Sequence, residues 1–140
     1  MIILDTNVLS DTLRPAPSAT VLEWLASKPA AALFTTTITR GEILYGVRLL
    51  PKGRRRDALW HAVQAIFDED FARRILSFDS HAADAYADIA AARKTAGQAI
   101  SQLDAMIAAT ARSRGAALAT RNIKDFSACG IELVNPWGKQ

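Results

Sequence analysis

Four short apolar runs, each ended by polar residues, most constrain the fold of this chain. Each run has the length and side-chain character of a buried strand, and longer segments with helical periodicity lie between them. Strands that alternate with helices form a parallel sheet with helices packed on its faces. The sequence therefore predicts an α/β fold, with strands over residues 2–4, 33–38, 116–120 and 131–134.

The predicted helices fall into two kinds. Residues 18–27 and 55–71 carry apolar side chains on one face, as an amphipathic helix requires. Residues 80–95 and 101–114 are rich in alanine, which favours helix and permits close packing. Half of the 140 residues are hydrophobic, so a single domain over residues 1–140 with its own core is expected, and disorder is excluded.

Composition also restricts the cellular setting. No apolar run approaches the roughly 18 residues of a membrane span, and Asp5 interrupts the opening apolar run where a secretory signal continues. The single cysteine, Cys129, forms neither an intrachain disulfide nor a zinc cluster, so a cytoplasmic protein is expected. The net charge of +3, from 17 basic and 14 acidic residues, permits an anionic partner without establishing one.

Four acidic residues occupy positions suited to catalysis or metal binding. Asp5, Glu42 and Asp125 each follow a predicted strand. Asp104 lies near the start of the last predicted helix, between apolar neighbours. In an open parallel sheet, ligands bind outside the carboxyl ends of the strands. The four carboxylates are therefore expected to converge at one edge of the sheet.

Helix capping offers a second interpretation of each acid taken singly. Asp5 fits the cap of a helix that begins near Val8. The other three acids follow a Thr, Ser or Asn by three residues, the spacing of a capping box. These pairs are Thr39-x-x-Glu42, Ser101-x-x-Asp104 and Asn122-x-x-Asp125.

Converging carboxylates require a cation. Two like charges ~4 Å apart repel by about 4 kcal/mol at an effective dielectric constant of about 20. Carboxylate oxygens without Cys or His partners suit Mg²⁺ or Mn²⁺, and suit zinc or copper poorly. His61 and His81 each lack a second histidine at metal spacing, so neither is expected to be a ligand.

A basic run, Lys52-Gly53-Arg54-Arg55-Arg56, lies where the second predicted helix begins. Cations at a helix N-terminus oppose the helix dipole, so the run is not explained by helix stability. Two interpretations remain open. The run is either an exposed charged turn or a patch in which Arg54, Arg55 and Arg56 contact RNA phosphates.

Four segments, in order along the chain, resemble the four acidic motifs of PIN-domain ribonucleases. The similarity runs from Met1 to Trp137 and is greatest to the VapC and FitB-like toxins of prokaryotic toxin-antitoxin modules. The segments are residues 3–9 (ILDTNVL), 39–46 (TRGEILYG), 104–109 (DAMIAA) and 119–126 (ATRNIKDF).

The resemblance implies a three-layer α/β/α fold with a central parallel sheet and a Mg²⁺-dependent endoribonuclease activity, with Mn²⁺ as an alternative ion. It also implies a homodimer and a partner antitoxin, usually a DNA-binding autorepressor, that joins it in a hetero-oligomer. Asp5 and Asp104 match the metal ligands. The four catalytic acids correspond to Asp5, Glu42, Asp104 and Asp125.

Two further positions have counterparts in the family. Thr6 matches a hydroxyl that often supports the first Asp, and Asn122 matches a polar residue that lines the site. Many relatives carry an acid at the position of Asn122. The asparagine here therefore leaves open whether one or two ions bind.

The implied chemistry is hydrolysis of RNA phosphodiesters by metal-activated water. Mg²⁺ held by Asp5 and Asp104 lowers the pKa of a bound water and polarises a phosphoryl oxygen, while Glu42 and Asp125 orient that water or complete a second site. Because this route does not use the ribose 2′-hydroxyl, the expected products are a 5′-phosphate and a 3′-hydroxyl. The same chemistry cleaves DNA, and the preference for RNA comes from the resemblance alone.

Two other functions fit parts of the pattern. One is a non-catalytic nucleic-acid or protein-binding module of the same fold, with the acids acting as caps. The other is a receiver-type phosphoacceptor, which requires adjacent acids after the first strand and a Lys after a late one. Here Leu4 precedes Asp5 and Arg121 stands in the late motif, so the receiver interpretation fits less well.

Electrostatics suggests how the antitoxin acts. A guanidinium or ammonium group is a good substitute for a missing metal ion, so an Arg or Lys of the partner is expected to enter the acidic pocket. The partner segment is expected to pack as an amphipathic helix on the apolar faces near Trp24 or Leu49-Leu50.

Overall fold

The strands of the structure, a computed structural model that describes residues 1–138, form one sheet. They are β1 (Ile2–Leu4), β2 (Leu33–Thr36), β3 (Ile75–Leu76), β4 (Ala117–Ala119) and β5 (Leu133–Val134). Their order in the sheet is β3-β2-β1-β4-β5, and each neighbouring pair is parallel. The parallel sheet predicted from the apolar runs is confirmed.

Six α-helices lie within residues 1–138. Their starts follow local chemistry, because the side chains of Ser18, Asp79 and Ser101 each accept a backbone N–H from the first turn of a helix. A π-helical turn covers Ile66–Asp70, and a 3₁₀ turn covers Ile123–Phe126. The helices are α1 (Thr6–Thr12), α2 (Ala19–Ala26), α3 (Thr37–Arg48), α4 (Arg54–Ala65), α5 (Ser80–Thr95) and α6 (Gln102–Ser113).

Hydrophobic side chains cover both faces of the sheet, because successive strand residues point to opposite sides. Ile3 belongs to a core that contains the buried faces of α5 and α6. Leu4 belongs to a second core, filled by residues of α1, α2, α3 and α4. The helices thus form two layers with the sheet between them, which confirms the three-layer α/β/α fold.

No helix among the described residues has both the length and the apolar character needed to cross a membrane.

The second strand and two other elements depart from the prediction. β2 ends at Thr36 rather than at residue 38, because the Thr36 hydroxyl accepts the backbone N–H of Thr39 at 3.1 Å and so begins α3. The helix predicted over residues 55–71 ends at Ala65 and continues as the π-helical turn. β3 is not predicted from the amino-acid pattern, since a strand of two residues carries too little periodicity.

The order of the strands creates a crevice at the carboxyl edge of the sheet. From β1 the chain proceeds outward to β2 and β3, then crosses back to β4 on the other side of β1. Such a reversal is where ligands bind in open α/β sheets. Leu4 pairs with Ala119, and the Asp5 N–H donates to the Ala119 carbonyl at 2.9 Å. The residues that follow β1 and β4 therefore lie side by side.

Candidate acidic active site

Asp5 is the first residue after β1 and is 4% exposed. Its Oδ1 accepts the backbone N–H of Thr6 at 2.8 Å, which makes Asp5 the N-cap of α1. Its Oδ2 accepts the hydroxyl hydrogen of Thr120 at 2.8 Å. Both carboxylate oxygens are therefore held in fixed directions at the reversal point of the sheet.

Thr120 organises the side of the site that follows β4. The residue is fully buried, and its hydroxyl oxygen accepts the Asn122 backbone N–H at 3.0 Å and the Asn7 Nδ2 at 3.4 Å. Because a hydroxyl has one hydrogen, and these two neighbours are donors, that hydrogen goes to Asp5. One threonine thus joins the loops that follow β1 and β4.

Glu42 lies in the second turn of α3, and its Oε1 accepts the Thr6 hydroxyl at 2.8 Å. The Thr6 oxygen lies 3.1 Å from the Thr39 oxygen, which lies 3.4 Å from that of Thr36. Since Thr6 gives its hydrogen to Glu42, Thr39 donates to Thr6. We call Thr36, Thr39 and Thr6 the hydroxyl chain.

The resemblance assigned the Thr6 hydroxyl to the first Asp, and the structure corrects this detail. The hydroxyl of Thr6 contacts Glu42, while Asp5 receives only the backbone N–H of Thr6. The hydroxyl on Asp5 comes from Thr120. Sequence reasoning missed Thr120 because its contact with Asp5 spans 115 residues, although its place directly after a strand was a usable signal.

Asp104 and Asp125 approach from the other side of the crevice. Asp104 is half-buried in the first turn of α6, where its backbone N–H donates to the Ser101 hydroxyl at 3.2 Å. Asp125 is exposed on the 3₁₀ turn that follows β4. Both line a cleft of about 200 Å³ together with Arg93 and Ser101.

The charges of these acids affect one another. Burial raises the pKa of Asp5 to about 6, and the negative charges of Asp104 and Glu42 add to this shift. The hydrogen bonds from Thr120 and Thr6 act in the opposite direction and lower the pKa. Burial and the charge of Asp125 likewise raise the pKa of Asp104. Each of the four acids predicted from the sequence thus lies within electrostatic reach of at least one other, Asp5 of Glu42 and Asp104, and Asp104 of Asp125.

The PIN domain profile matches residues 2–130. This chain belongs to the PIN-domain family. Its relatives include the toxin FitB of Neisseria gonorrhoeae, 39% identical over 137 residues that cover 98% of this chain and 99% of that protein. They also include the VapC ribonuclease Y4jK of Sinorhizobium fredii, 37% identical over 137 residues and 98% of each chain. A solved structure of FitAB bound to an IR36 DNA fragment matches with a TM-score of 0.93 and 38% identity, covering 100% of this chain and 98% of that one.

Helix capping explains only part of this PIN domain's acidic cluster. Asp5 caps α1, and the Ser101 hydroxyl caps α6 through the N–H of Asp104. The capping box predicted at Thr39 is wrong, since the cap of α3 is Thr36, three residues earlier. The Asn122 side chain makes no capping hydrogen bond to the 3₁₀ turn. Capping therefore leaves the placement of Glu42 and Asp125 unexplained.

The donor set of this PIN domain fits Mg²⁺. Within residues 1–138, no three acidic, histidine or cysteine side chains are close enough to enclose a metal ion directly. Mg²⁺ commonly binds through one or two carboxylates and keeps several waters, so a fully enclosed cage is not required. Burial, with a smaller contribution from the charges of Asp104 and Glu42, raises the pKa of Asp5, and a divalent cation bound to this carboxylate stabilises its charged form.

The three arginines of the basic run occupy the first turn of α4 and differ in their surroundings. Arg54 and Arg55 are exposed, and Arg56 is half-buried. Arg55 also lines an open groove of about 390 Å³ that reaches Thr6 and Glu42. We call this the α1–α3 groove, and it connects one of the predicted RNA-binding arginines to the acidic cluster.

The pKa of Asp5 predicts how the stability of the metal-free PIN domain depends on pH. Asp5 has a pKa of about 6 when folded, against an ordinary value of 3.8, so protonation favours the folded state. This contribution is complete below about pH 4 and is lost as the pH rises through about 6, a change of up to about 3 kcal/mol in the free energy of unfolding. Asp5→Asn removes the titration, so the variant gains stability relative to wild type over this range. Urea unfolding in EDTA across this pH range measures the free energy of unfolding of both proteins.

Asp84→Asn, which changes an exposed carboxylate on α5, is the matched control and is expected to follow the wild-type curve. A loss of about 1 kcal/mol in Asp5→Asn at every pH indicates instead that the hydrogen bond from Thr120 to the Asp5 carboxylate stabilises the fold more than the buried charge destabilises it, since asparagine retains the helix cap. That result contradicts the electrostatic interpretation of the cluster.

Proposed function

We propose that this PIN domain is a Mg²⁺-dependent endoribonuclease and the toxin of a toxin-antitoxin module. The observation that carries the proposal is the position of Asp5, buried at the reversal of the sheet, fixed at both oxygens and within electrostatic reach of Glu42 and Asp104. The names of the relatives, VapC ribonuclease and toxin FitB, support the choice of RNA and of a toxin.

Asp5 and Asp104 are the proposed metal ligands. Bound Mg²⁺ supplies a Lewis acid for the phosphodiester and lowers the pKa of a coordinated water. Thr120 aims Oδ2 of Asp5, and the Ser101 cap fixes the first turn of α6 that carries Asp104. The protein thus orients both ligands before the ion binds.

Glu42 and Asp125 are proposed to orient the attacking water. Thr6 occupies Oε1 of Glu42, while Oε2 accepts no hydrogen bond from the described residues. Oε2 therefore remains available to accept a proton from water. Asn122, exposed beside Thr120, is proposed to line the same site with its amide. Hydrolysis by this route yields a 5′-phosphate and a 3′-hydroxyl.

Asp5→Asn and Asp104→Asn are expected to abolish Mg²⁺-dependent RNA cleavage while the protein stays folded. Losing a ligand removes several kcal/mol of transition-state stabilisation, which lowers kcat/KM by about 100-fold or more. Cleavage of a labelled RNA across a Mg²⁺ titration measures this, with Asp84→Asn as the control. Cleavage that persists in EDTA, or folded wild-type protein that cleaves no RNA, contradicts the proposal and favours a non-catalytic binding module.

RNA phosphates are proposed to contact the basic run, with Arg55 nearest to the acids because it lines the α1–α3 groove. Each phosphate contact to single-stranded RNA contributes about 0.7 to the slope of log K against log salt. Replacing Arg54, Arg55 and Arg56 by Ser is expected to reduce the slope by up to about 2, and Arg55→Ser to account for the largest single share. Fluorescence anisotropy at several salt concentrations measures it.

Arg114→Ser is the matched control, since Arg114 is an exposed arginine just after α6, at the opposite end of that helix from Asp104. It is expected to leave the slope unchanged. An unchanged slope in the triple variant contradicts the proposed phosphate contacts and indicates that the basic run is a solvated turn.

A partner antitoxin is proposed to occupy the α1–α3 groove. Val47 and Leu50 are apolar residues of its wall, and Glu42 also lines it. Beside it, Tyr45 and Leu49 on and after α3 are 65% and 67% exposed. An amphipathic helix that fills the groove brings an Arg or Lys within reach of the acids. The proposal includes a homodimer of this chain within the complex.

Inhibition by this partner has a direct test. The chain is co-purified with the product of the adjacent gene, and RNA cleavage is compared with that of the free chain over a Mg²⁺ titration. The complex is expected to cleave more slowly at low Mg²⁺ and to recover in part as the ion competes with the basic side chain. Equal rates at every Mg²⁺ concentration contradict inhibition at the acidic site.

A further inference from the structure

Arg93 is a buried cation that the proposed chemistry leaves without a role. It lies in the last turn of α5 and is 6% exposed, which is unusual because an arginine is almost never fully buried unless it is paired. Among residues 1–138 no carboxylate lies within ion-pair distance of its guanidinium. Its burial therefore requires compensation by other groups.

Backbone carbonyls provide that compensation. Arg93 Nε donates to the Gln98 carbonyl at 2.6 Å, and Nη1 donates to the carbonyls of Asp125 and Ser127, each at 2.9 Å. Nη1 also lies 3.7 Å from the Cys129 sulfur. One planar group therefore binds two segments that are about thirty residues apart in sequence.

Each of these segments carries or precedes an acid of the cluster. Gln98 belongs to the turn that leads from α5 to Ser101 and Asp104. In the second segment, one of the two accepting carbonyls belongs to Asp125 itself, on the 3₁₀ turn. The chain reverses at Gly97, whose φ of 73° is accessible to glycine, and the Gln98 N–H returns to the Arg93 carbonyl at 2.8 Å. The first segment is thus tied to Arg93 at both its N–H and its carbonyl.

Arg93 is also near two of the acids. Arg93 lines the 200 Å³ cleft with Asp104 and Asp125. A positive charge in that wall partly offsets the repulsion between the two carboxylates. Arg93 therefore acts on this pair through both geometry and charge.

We propose that Arg93 is a positioning residue for the acidic site, because its guanidinium fixes the α5–α6 turn and the 3₁₀ turn to one another and so sets the separation of Asp104 and Asp125. The inference rests on the proposed metal-dependent function. The planar fork is essential to it, since a lysine ammonium retains the charge but does not reproduce the fixed directions of Nε and Nη1.

Arg74 provides a matched control within the same chain. Its guanidinium also donates to three backbone carbonyls, those of Ala30, Leu33 and Asp70. These residues lie around the start of β2 and the end of the π-helical turn, away from the carboxyl edge of the sheet. Arg74→Ala therefore removes a comparable set of hydrogen bonds without touching the acidic cluster.

The test measures Mn²⁺ affinity by calorimetry in the wild type, Arg93→Ala, Arg93→Lys and Arg74→Ala, with thermal melts on each. Groups that orient metal ligands typically change metal affinity by about 10- to 100-fold when lost. We expect both Arg93 variants to lose affinity in this range and Arg74→Ala to bind like the wild type. Amide hydrogen exchange is expected to accelerate at residues 98–104 and 122–129 in the Arg93 variants. In RNA cleavage at limiting Mn²⁺, kcat is expected to fall while KM for RNA is unchanged.

Several results overturn the inference. Arg93→Lys with wild-type affinity shows that charge alone suffices, and this variant remains informative if Arg93→Ala does not fold. Equal losses in Arg93→Ala and Arg74→Ala indicate a general effect of lost stability. A rise in KM with constant kcat indicates direct contact with RNA. If Mn²⁺ affinity depends on Arg93 but the wild type cleaves no RNA, the proposed function fails and the positioning role stands.

Discussion

The parallel pairing of β1 with β4 is the contact on which the rest of this structure depends. These strands are adjacent in the sheet although more than one hundred residues separate them in the chain. Their register pairs Leu4 with Ala119, so that the next residue, Asp5, contacts Thr120. A shift of one residue turns side chains to the opposite face and removes that contact. The register of β1 and β4 at the centre of the sheet thus determines the position of the Asp5 carboxylate at its carboxyl edge.

The acidic edge and the hydrophobic layers have opposite effects on the stability of the fold. The two cores on either side of the sheet favour folding, whereas the carboxylates at its edge oppose it when no cation is present. Asp5 has both effects, since it stabilises α1 as its cap and also carries a charge that burial disfavours. The fold therefore retains the unfavourable buried carboxylate of Asp5 at the position where a bound cation stabilises it most.

Local patterns predicted most of the elements and named all four acids, because the information lies within a few residues. The Ser101 cap, the alanine-rich helices and the position of Asp5 after an apolar run are examples of this kind. Thr120 and Arg93 were missed because their roles arise from contacts over more than thirty residues. The start of α3 was misplaced because consecutive threonines suit a strand and a cap equally well, and the Thr36 side chain decides between them.

The hydroxyl chain that ends on Glu42 has a direction. The Thr36 oxygen receives a backbone N–H of α3, so its own hydrogen points onward to Thr39, then from Thr39 to Thr6 and from Thr6 to the carboxylate. Valine has the shape of threonine but passes no hydrogen forward, so at any of these positions it breaks the sequence of donors. This corner of the molecule is therefore sensitive to a change that conserves volume, the kind of change that an apolar core tolerates best.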